Sequence, residues 1–309
     1  MTSESDKHGN YRQGADWTRQ QERSNLAILR LMVWISLTFG RAIGRLVLYG
    51  IAAYYVVFAP SARRASRDYL HRALDRWAEW SDGYRHVFSF ASTIHDRIYL
   101  LNDRFDLFDI EVSGEEAIHA ALARQPGALL IGAHLGSFEV MRAVGRGRFG
   151  LKVAMMMYAE NAQKINATLE AINPAATEDL IPLGQMDSML QACDRLDAGW
   201  LVGMLADRSL ADDPTVDAEF LGKPAPFPLG PWRMAAMLRR PVFFMTGLYL
   251  GGNRYRIHFE PLADFSQVER ADRDVAIRAA IDRYASRLEY YCRLAPYNWF
   301  NFIDFWQKK

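Results

Sequence analysis

From Asp106 onward, short apolar runs alternate with stretches of helical period, and no other feature limits the fold of this chain as strongly. Leu107–Val112, Ala128–Ala133, Leu151–Met157, Leu180–Leu183, Trp200–Leu205 and Val242–Leu250 read as strands. Between them Glu115–Arg124, Ser137–Gly145, Asn161–Ile172, Ser188–Asp197 and Gly230–Leu238 carry the spacing of helices, and Arg270–Arg293 follows as a long one. Ala128–Ala133 has no polar alternation, as expected of a strand covered on both faces. Arg254–Glu260 follows Val242–Leu250 across Gly251-Gly252-Asn253, a hairpin turn signal. Strand and helix in alternation predict an α/β fold, with a mostly parallel central sheet flanked by helices.

The first third is different. Residues 1–24 are a polar tail, and residues 25–104 form a helical region ahead of a catalytic α/β domain at 105–309. Within it, Ala27–Phe39 and Leu46–Ala59 are apolar but shorter than the roughly 20 residues that span a bilayer. On one continuous helix, at about 100° per residue, Arg30, Arg41 and Arg45 fall within about 60° of one another. A cationic stripe on an apolar cylinder with Trp34, Tyr49, Tyr54 and Tyr55 suits the headgroup level of an anionic membrane. The competing reading is a core helix with paired arginines. Ser61–Trp77 is helical and basic, next to this segment, and phospholipid contact is expected there. Residues 1–24 are too mixed for the start of a signal peptide, and no small-residue cleavage site follows, so the cytoplasmic side is expected.

Several function classes drop out. A net charge of +1 argues against a protein that coats nucleic acid. Cys193 and Cys292 lie far apart without a CxxC pair, which argues against a zinc ribbon and for buried thiols in a reducing compartment. The glycine-rich lysine signature of a phosphate loop is missing.

Chemistry concentrates in Leu129-Leu130-Ile131-Gly132-Ala133-His134-Leu135-Gly136-Ser137-Phe138-Glu139. The strand runs out at His134, and Ser137 is positioned to cap the next helix. Polar groups at the carboxyl end of a strand sit where open α/β sheets hold ligands. Glu139, in the helix's first turn, is within reach of His134, and a carboxylate on one imidazole nitrogen raises the basicity of the other. His134 then suits a general base acting on a hydroxyl, and the N–H groups of Gly136 and Ser137 suit an oxyanion. The rival readings are a structural histidine at a strand end and a metal ligand; no other histidine lies nearby in sequence, so no metal is expected. His71, His86, His95, His119 and His258 read as structural.

His134-Leu-Gly-Ser-Phe-Glu139 resembles the H-x4-D/E motif of the lysophospholipid acyltransferase superfamily, and its glutamate variant resembles the lipid A biosynthesis lauroyl and myristoyl transferases. The similarity extends over roughly residues 40 to 306, with Leu205-Ala206-Asp207-Arg208, Phe220-Leu-Gly-Lys-Pro-Ala225 and Pro228-Leu-Gly-Pro as further blocks. Within it the chain also resembles a bacterial predicted acyltransferase subgroup associated with glycolipid or aryl-polyene gene clusters. The resemblance implies transfer of a fatty acyl group from acyl carrier protein or coenzyme A, without a covalent enzyme intermediate or a cofactor. It implies a lipid or glycolipid acceptor at the cytoplasmic face of the bacterial inner membrane, with the protein peripheral or monotopic among its phospholipids. His134 is the implied base and Glu139 its orienting acid, with Gly136, Ser137, Asn161, Asp207 and Arg208 as substrate contacts.

Two blocks depart from the family. Where lipid A enzymes carry Arg-Pro-Leu before an Asn, this chain has Ala159 in the arginine position and keeps Asn161. The family's Asp-Gln pair is Asp207-Arg208. These changes weaken the case for lipid A itself as acceptor and leave the acyl-transfer chemistry standing. Arg208 either supplies the missing cation, binding a phosphate or pantetheine arm, or pairs with Asp207. Asn161 reads first as a helix cap. Met155–Met157 reads as a core strand or an acyl-pocket wall, and the aromatic stretch Tyr297–Trp306 as core filler or an interfacial belt. The alternatives are N-acyl transfer, acylation of a simple glycerophospholipid, and a non-catalytic scaffold for acyl carrier protein or a glycosyltransferase.

Overall fold

The computed structural model describes residues 31–141, 145, 150–158, 172, 180–184, 187–208 and 213–306. Three N-terminal helices, α1 (Arg41–Phe58), α2 (Pro60–Leu74) and α3 (Trp80–Leu100), precede a seven-stranded sheet. Its strands are β1 (Asp109–Ser113), β2 (Ala128–Gly132), β3 (Val153–Tyr158), β4 (Leu180–Leu183), β5 (Leu201–Leu205), β8 (Pro241–Tyr249) and β9 (Arg254–Asp264). Between β5 and β8 in sequence lies a separate hairpin of β6 (Thr215–Phe220) and β7 (Lys223–Pro228). Helices α4 (Glu115–Leu122), α5 (Ser188–Asp197), α6 (Gly230–Leu238) and α7 (Arg273–Leu294) lie between and after the strands, with two short 3-10 helices at Phe105–Leu107 and Arg270–Asp272 and a further helix starting at residue 138. The sheet runs β1-β9-β8-β2-β5-β3-β4, and every neighbouring pair is parallel except β8 with β9.

The apolar texture of β2 follows from its place. Its five residues are all buried, Leu129 and Ile131 against one layer with Trp232 and Tyr284, Ala128 and Leu130 against the other with Ile118 and Phe243. A strand walled on both faces gains from an unbroken apolar run, as parallel strands do. The turn expected at Gly251-Gly252-Asn253 is present, with Gly251 and Gly252 at φ of 90° and 65°. The β6–β7 hairpin was not legible in the strand pattern, because Pro224, Pro226 and Pro228 interrupt it. Leu221 and Gly222, both at positive φ, make its two-residue turn, closed by the pair Phe220 and Lys223. Counting outward, each proline falls on the alternate pairs that exchange no backbone hydrogen bonds, so none is missed.

The one continuous helix on which the arginine stripe was drawn is interrupted within the described residues. Residues 31–39 are helical, Gly40 turns at φ 84°, and α1 starts at Arg41. The arginine stripe is also used differently. Arg41 donates through Nε and Nη2 to the buried carboxylate of Asp96 at 2.7 and 2.8 Å, and through Nη2 to the Gly252 carbonyl at 2.6 Å. Arg45 reaches the Gly252 carbonyl and the Tyr249 hydroxyl at 3.2 and 2.9 Å. Both cations therefore fasten the helix to the β8–β9 turn; Arg30 lies outside the described residues. The buried stripe of α1 is Gly44, Leu48, Ala52 and Val56, four apart. Gly44 has to be glycine, since a Cβ there would stand 2.2 Å from the His95 ring. Apart from Arg41 and Arg45, the rest of the helix, with Leu46, Tyr54, Tyr55, Val57 and Phe58, is exposed. Among the described residues, α1 is the one helix long and apolar enough to cross a membrane.

Candidate active site

His134 and Asp207 meet because of strand register. Gly132 of β2 lies opposite Leu205 of the adjacent parallel β5, and His134 and Asp207 each stand two positions beyond their strands. The His134 backbone N–H donates to Asp207 Oδ2 at 3.1 Å, and its Nδ1–H donates to Oδ1 at 2.9 Å. A third donor, the Trp299 indole N–H, reaches Oδ2 at 3.0 Å. Burial alone would push the Asp207 carboxyl up, but the imidazole, the Arg208 cation and the indole N–H together hold it well below the usual carboxylate range. An ionised carboxylate only accepts, so Nδ1 carries a proton, and in the neutral ring the lone pair is then on Nε2. Asp207 is fully buried, whereas the His134 side chain is 36% exposed. The pair thus presents one basic nitrogen at the carboxyl edge of the sheet.

The C-terminal segment after α7 straps this corner. The Gly136 N–H donates to the Asn298 carbonyl at 2.8 Å, the Phe300 N–H donates to the His134 carbonyl at 2.7 Å, and Leu135 bridges Trp299. Asn298 in turn exchanges two bonds with the Tyr249 backbone, at 2.7 and 3.0 Å. Gly136 adopts φ 74°, and a Cβ on it would lie 2.1 Å from the Gly247 carbonyl oxygen. Only glycine lets the turn after His134 lie this close to β8.

Several expectations require correction. The carboxylate on His134 is Asp207, read from the sequence as a substrate contact, and not Glu139. Glu139 lies at the start of the next helix, 2.6 Å from the Arg97 guanidinium of α3, and accepts a long bond of 3.5 Å from the Ser137 hydroxyl. Ser137 caps that helix, as expected, through a 3.4 Å bond from the Val140 N–H. The backbone N–H groups assigned to an oxyanion are spent: Gly136 on Asn298, and Ser137 on the Gly247 carbonyl at 2.8 Å. Arg208 makes no direct ion pair with Asp207 among the described residues. Its Nη2 donates to the Phe300 carbonyl at 2.6 Å, its Nε is buried without a partner, and burial lowers its pKa. Asn161 and Ala159 lie outside the described residues. Met155 and Met156 are buried in the sheet, the core role.

Trp299 and Arg97 carry parts of the site that sequence reasoning missed. For Trp299 the residue pattern gave only an aromatic tail, and its partner stands 92 residues away. Asp207 had a signal of its own, since it ends an apolar strand just as His134 does. Beside this corner, under the helix that starts at residue 138, an apolar cavity is lined by Ile118, Leu130, Phe138, Met141, Met245 and Phe259. Among the described residues no group of three His, Cys, Asp or Glu side chains is placed to hold a metal ion.

Residues 88–308 match the family of bacterial lipid A biosynthesis acyltransferases. None of the curated proteins compared with the chain matches it.

Proposed function

Because the chain belongs to the bacterial lipid A biosynthesis acyltransferase family and is an acyltransferase, we propose that His134 is the base that activates its acceptor. The donor is a fatty acyl thioester of acyl carrier protein or coenzyme A, and the acceptor a hydroxyl on a lipid or glycolipid. The acceptor O–H gives its proton to His134 Nε2 as its oxygen bonds to the thioester carbonyl carbon. The C–S bond then breaks, and the departing thiolate takes the proton back from the imidazolium. Asp207 holds the productive tautomer and stabilises the ring while it is charged. A positioned base of this kind contributes roughly 10²- to 10⁴-fold in rate. One observation carries the reading: a half-exposed imidazole whose inner nitrogen donates to a fully buried, ionised carboxylate.

Glu139 acts one step back in this scheme. Its pair with Arg97 fixes the start of the helix that follows the His134 turn, so it is a positioning residue. The apolar cavity beside Phe138 and Met141 receives the near end of the acyl chain. In this reading the protein works at the cytoplasmic face of the inner membrane, where acceptor and donor meet, and the exposed apolar face of α1 supports the membrane contact. Purified His134→Ala, given an acyl thioester and a lipid acceptor, should make no acylated product while keeping the fold. Turnover near the wild-type rate would refute the scheme.

A further inference from the structure

Where α1 ends and α2 begins, the surface changes from apolar to cationic. Arg63 donates to the carbonyls of Val56 and Val57 at 3.0 and 3.4 Å, closing the last turn of α1, and its guanidinium lies 4.8 Å from the centre of the Trp80 ring. Arg64 and Arg67 are exposed, on the same helix, and make no hydrogen bond or ion pair among the described residues. These three arginines, with Val56, Glu79 and Trp80, line a cleft of about 340 Å³. The one acid there, Glu79, is engaged as the cap of α3 with Asp82.

We propose that this cleft binds the phosphate of an anionic phospholipid headgroup. The guanidinium fork matches phosphate geometry, and two of the three forks are unspent. The level is also right. The cleft opens at the end of a helix whose free face carries Tyr54, Val57 and Phe58, and Trp77 and Trp80 beside it are 80% and 66% exposed. Tryptophan next to arginine at the end of an apolar surface is the composition of a membrane interface. Both ends of α1 are tied to the same folded body, by Arg41 to Asp96 and Gly252 and by the Tyr55 ring against Phe302. The helix therefore lies along the bilayer plane, and its C-terminal end meets headgroups. An acidic face of a carrier protein has suitable charge, but it would meet the bare apolar rim of α1 with nothing to cover it.

The inference rests on the membrane placement proposed above and not on acyl transfer, so the test reads binding alone. The full chain is co-sedimented with phosphatidylcholine vesicles and with vesicles that also contain phosphatidylglycerol. Wild type should bind the first through its apolar face and the second more tightly. R64Q/R67Q should keep the first and lose roughly 30-fold of the second, two arginines' share at an anionic surface. R64K/R67K keeps the charge without the fork and should lose part of it. R270Q/R278Q, which removes two arginines at and before α7, should lose little. Equal losses in R64Q/R67Q and R270Q/R278Q, or wild-type binding by R64K/R67K, would overturn the cleft. Loss of affinity for an acidic carrier protein with phosphatidylglycerol binding unchanged would also overturn it. Failure of the wild type to bind either vesicle would overturn the membrane placement beneath it.

Discussion

Replacing Asp207 with Asn tests the site with the least change of shape. The native carboxylate accepts three bonds, one at Oδ1 from the His134 ring and two at Oδ2 from the His134 backbone and Trp299. Asparagine has one acceptor oxygen for them. The arrangement that satisfies two donors turns its NH2 toward His134 Nδ1, which must then accept. The ring proton moves to Nε2, and the base is lost. A tautomer swap of this kind in the Ser-His-Asp triad costs roughly 10⁴-fold in turnover, so a fall of at least about 10³-fold is expected here. The Michaelis constant for the thioester should hardly move, because Asp207 is fully buried and acts through His134. Stability should fall by about 2 kcal/mol at neutral pH, the scale of a hydrogen bond to a charged group. The pH dependence has a definite sign. Despite its burial, Asp207 titrates below the ordinary carboxylate range, so its contribution is complete above the unfolded value of roughly 4 and is lost as the pH falls through the lower folded value. The gap between wild type and Asp207→Asn in denaturant midpoint should therefore be widest at neutral pH and close in acid. Product formation is followed by mass spectrometry with an acyl thioester and a lipid acceptor. A folded Asp207→Asn protein turning over within about tenfold of wild type would refute the assignment of Asp207 as the orienting carboxylate.

Two further substitutions probe the strap and the core behind it. Trp299→Phe keeps the ring and removes the indole donor from Asp207, so it should lower kcat without changing the Michaelis constant and cost about 1–3 kcal/mol of stability; unchanged kinetics would make Trp299 a packing residue only. His86 is buried and neutral, accepting from the Ser66 hydroxyl at 2.7 Å and donating to the Trp299 carbonyl at 2.8 Å, and burial pushes its pKa down to about 4. The unfolded chain takes up this proton near pH 6.5, so stability should decline as pH falls from about 6.5 to about 4, by roughly 3 kcal/mol in total. His86→Asn should lose that slope, and a wild-type stability flat across the window would contradict the buried neutral state.

Much of the sheet was legible because its cause is local. β4, α5 and α6 stand at their expected residues, since each is one apolar run or one amphipathic period between breakers. The β6–β7 hairpin failed that test because prolines at alternate positions look forbidding until the partner strand is known. At the site, His134 and the Ser137 cap could be read from the strand-turn-helix sequence alone. Asp207 was visible as a site residue, but not as the partner of His134, because that role depends on β5 lying beside β2 in register, a fact of topology. The motif's spacing made Glu139 the obvious partner for His134, and sequence proximity was the wrong guide. A helix that starts at residue 138 carries Glu139 toward α3 and Arg97, while the adjacent strand delivers a carboxylate at the same height.

The N-terminal arginines make the same point from the other side. A wheel drawn on one continuous helix puts Arg41 and Arg45 on a common stripe, and the stripe is real, but a stripe does not say what it faces. Here it faces Asp96, Tyr249 and the Gly252 carbonyl. Burying the Asp96 carboxylate requires compensation, and Arg41 and the Tyr255 hydroxyl, at 2.8 Å, supply it. That network spends the cations nearest the start of α1 on the fold and leaves an apolar face without charge of its own. Any electrostatic hold on an anionic surface then falls to the next free guanidinium groups along the chain. Among the described residues these are Arg64 and Arg67, one turn into α2 and beside the exposed tryptophans, and so the division of labour between the two groups of arginines follows from where Asp96 is buried.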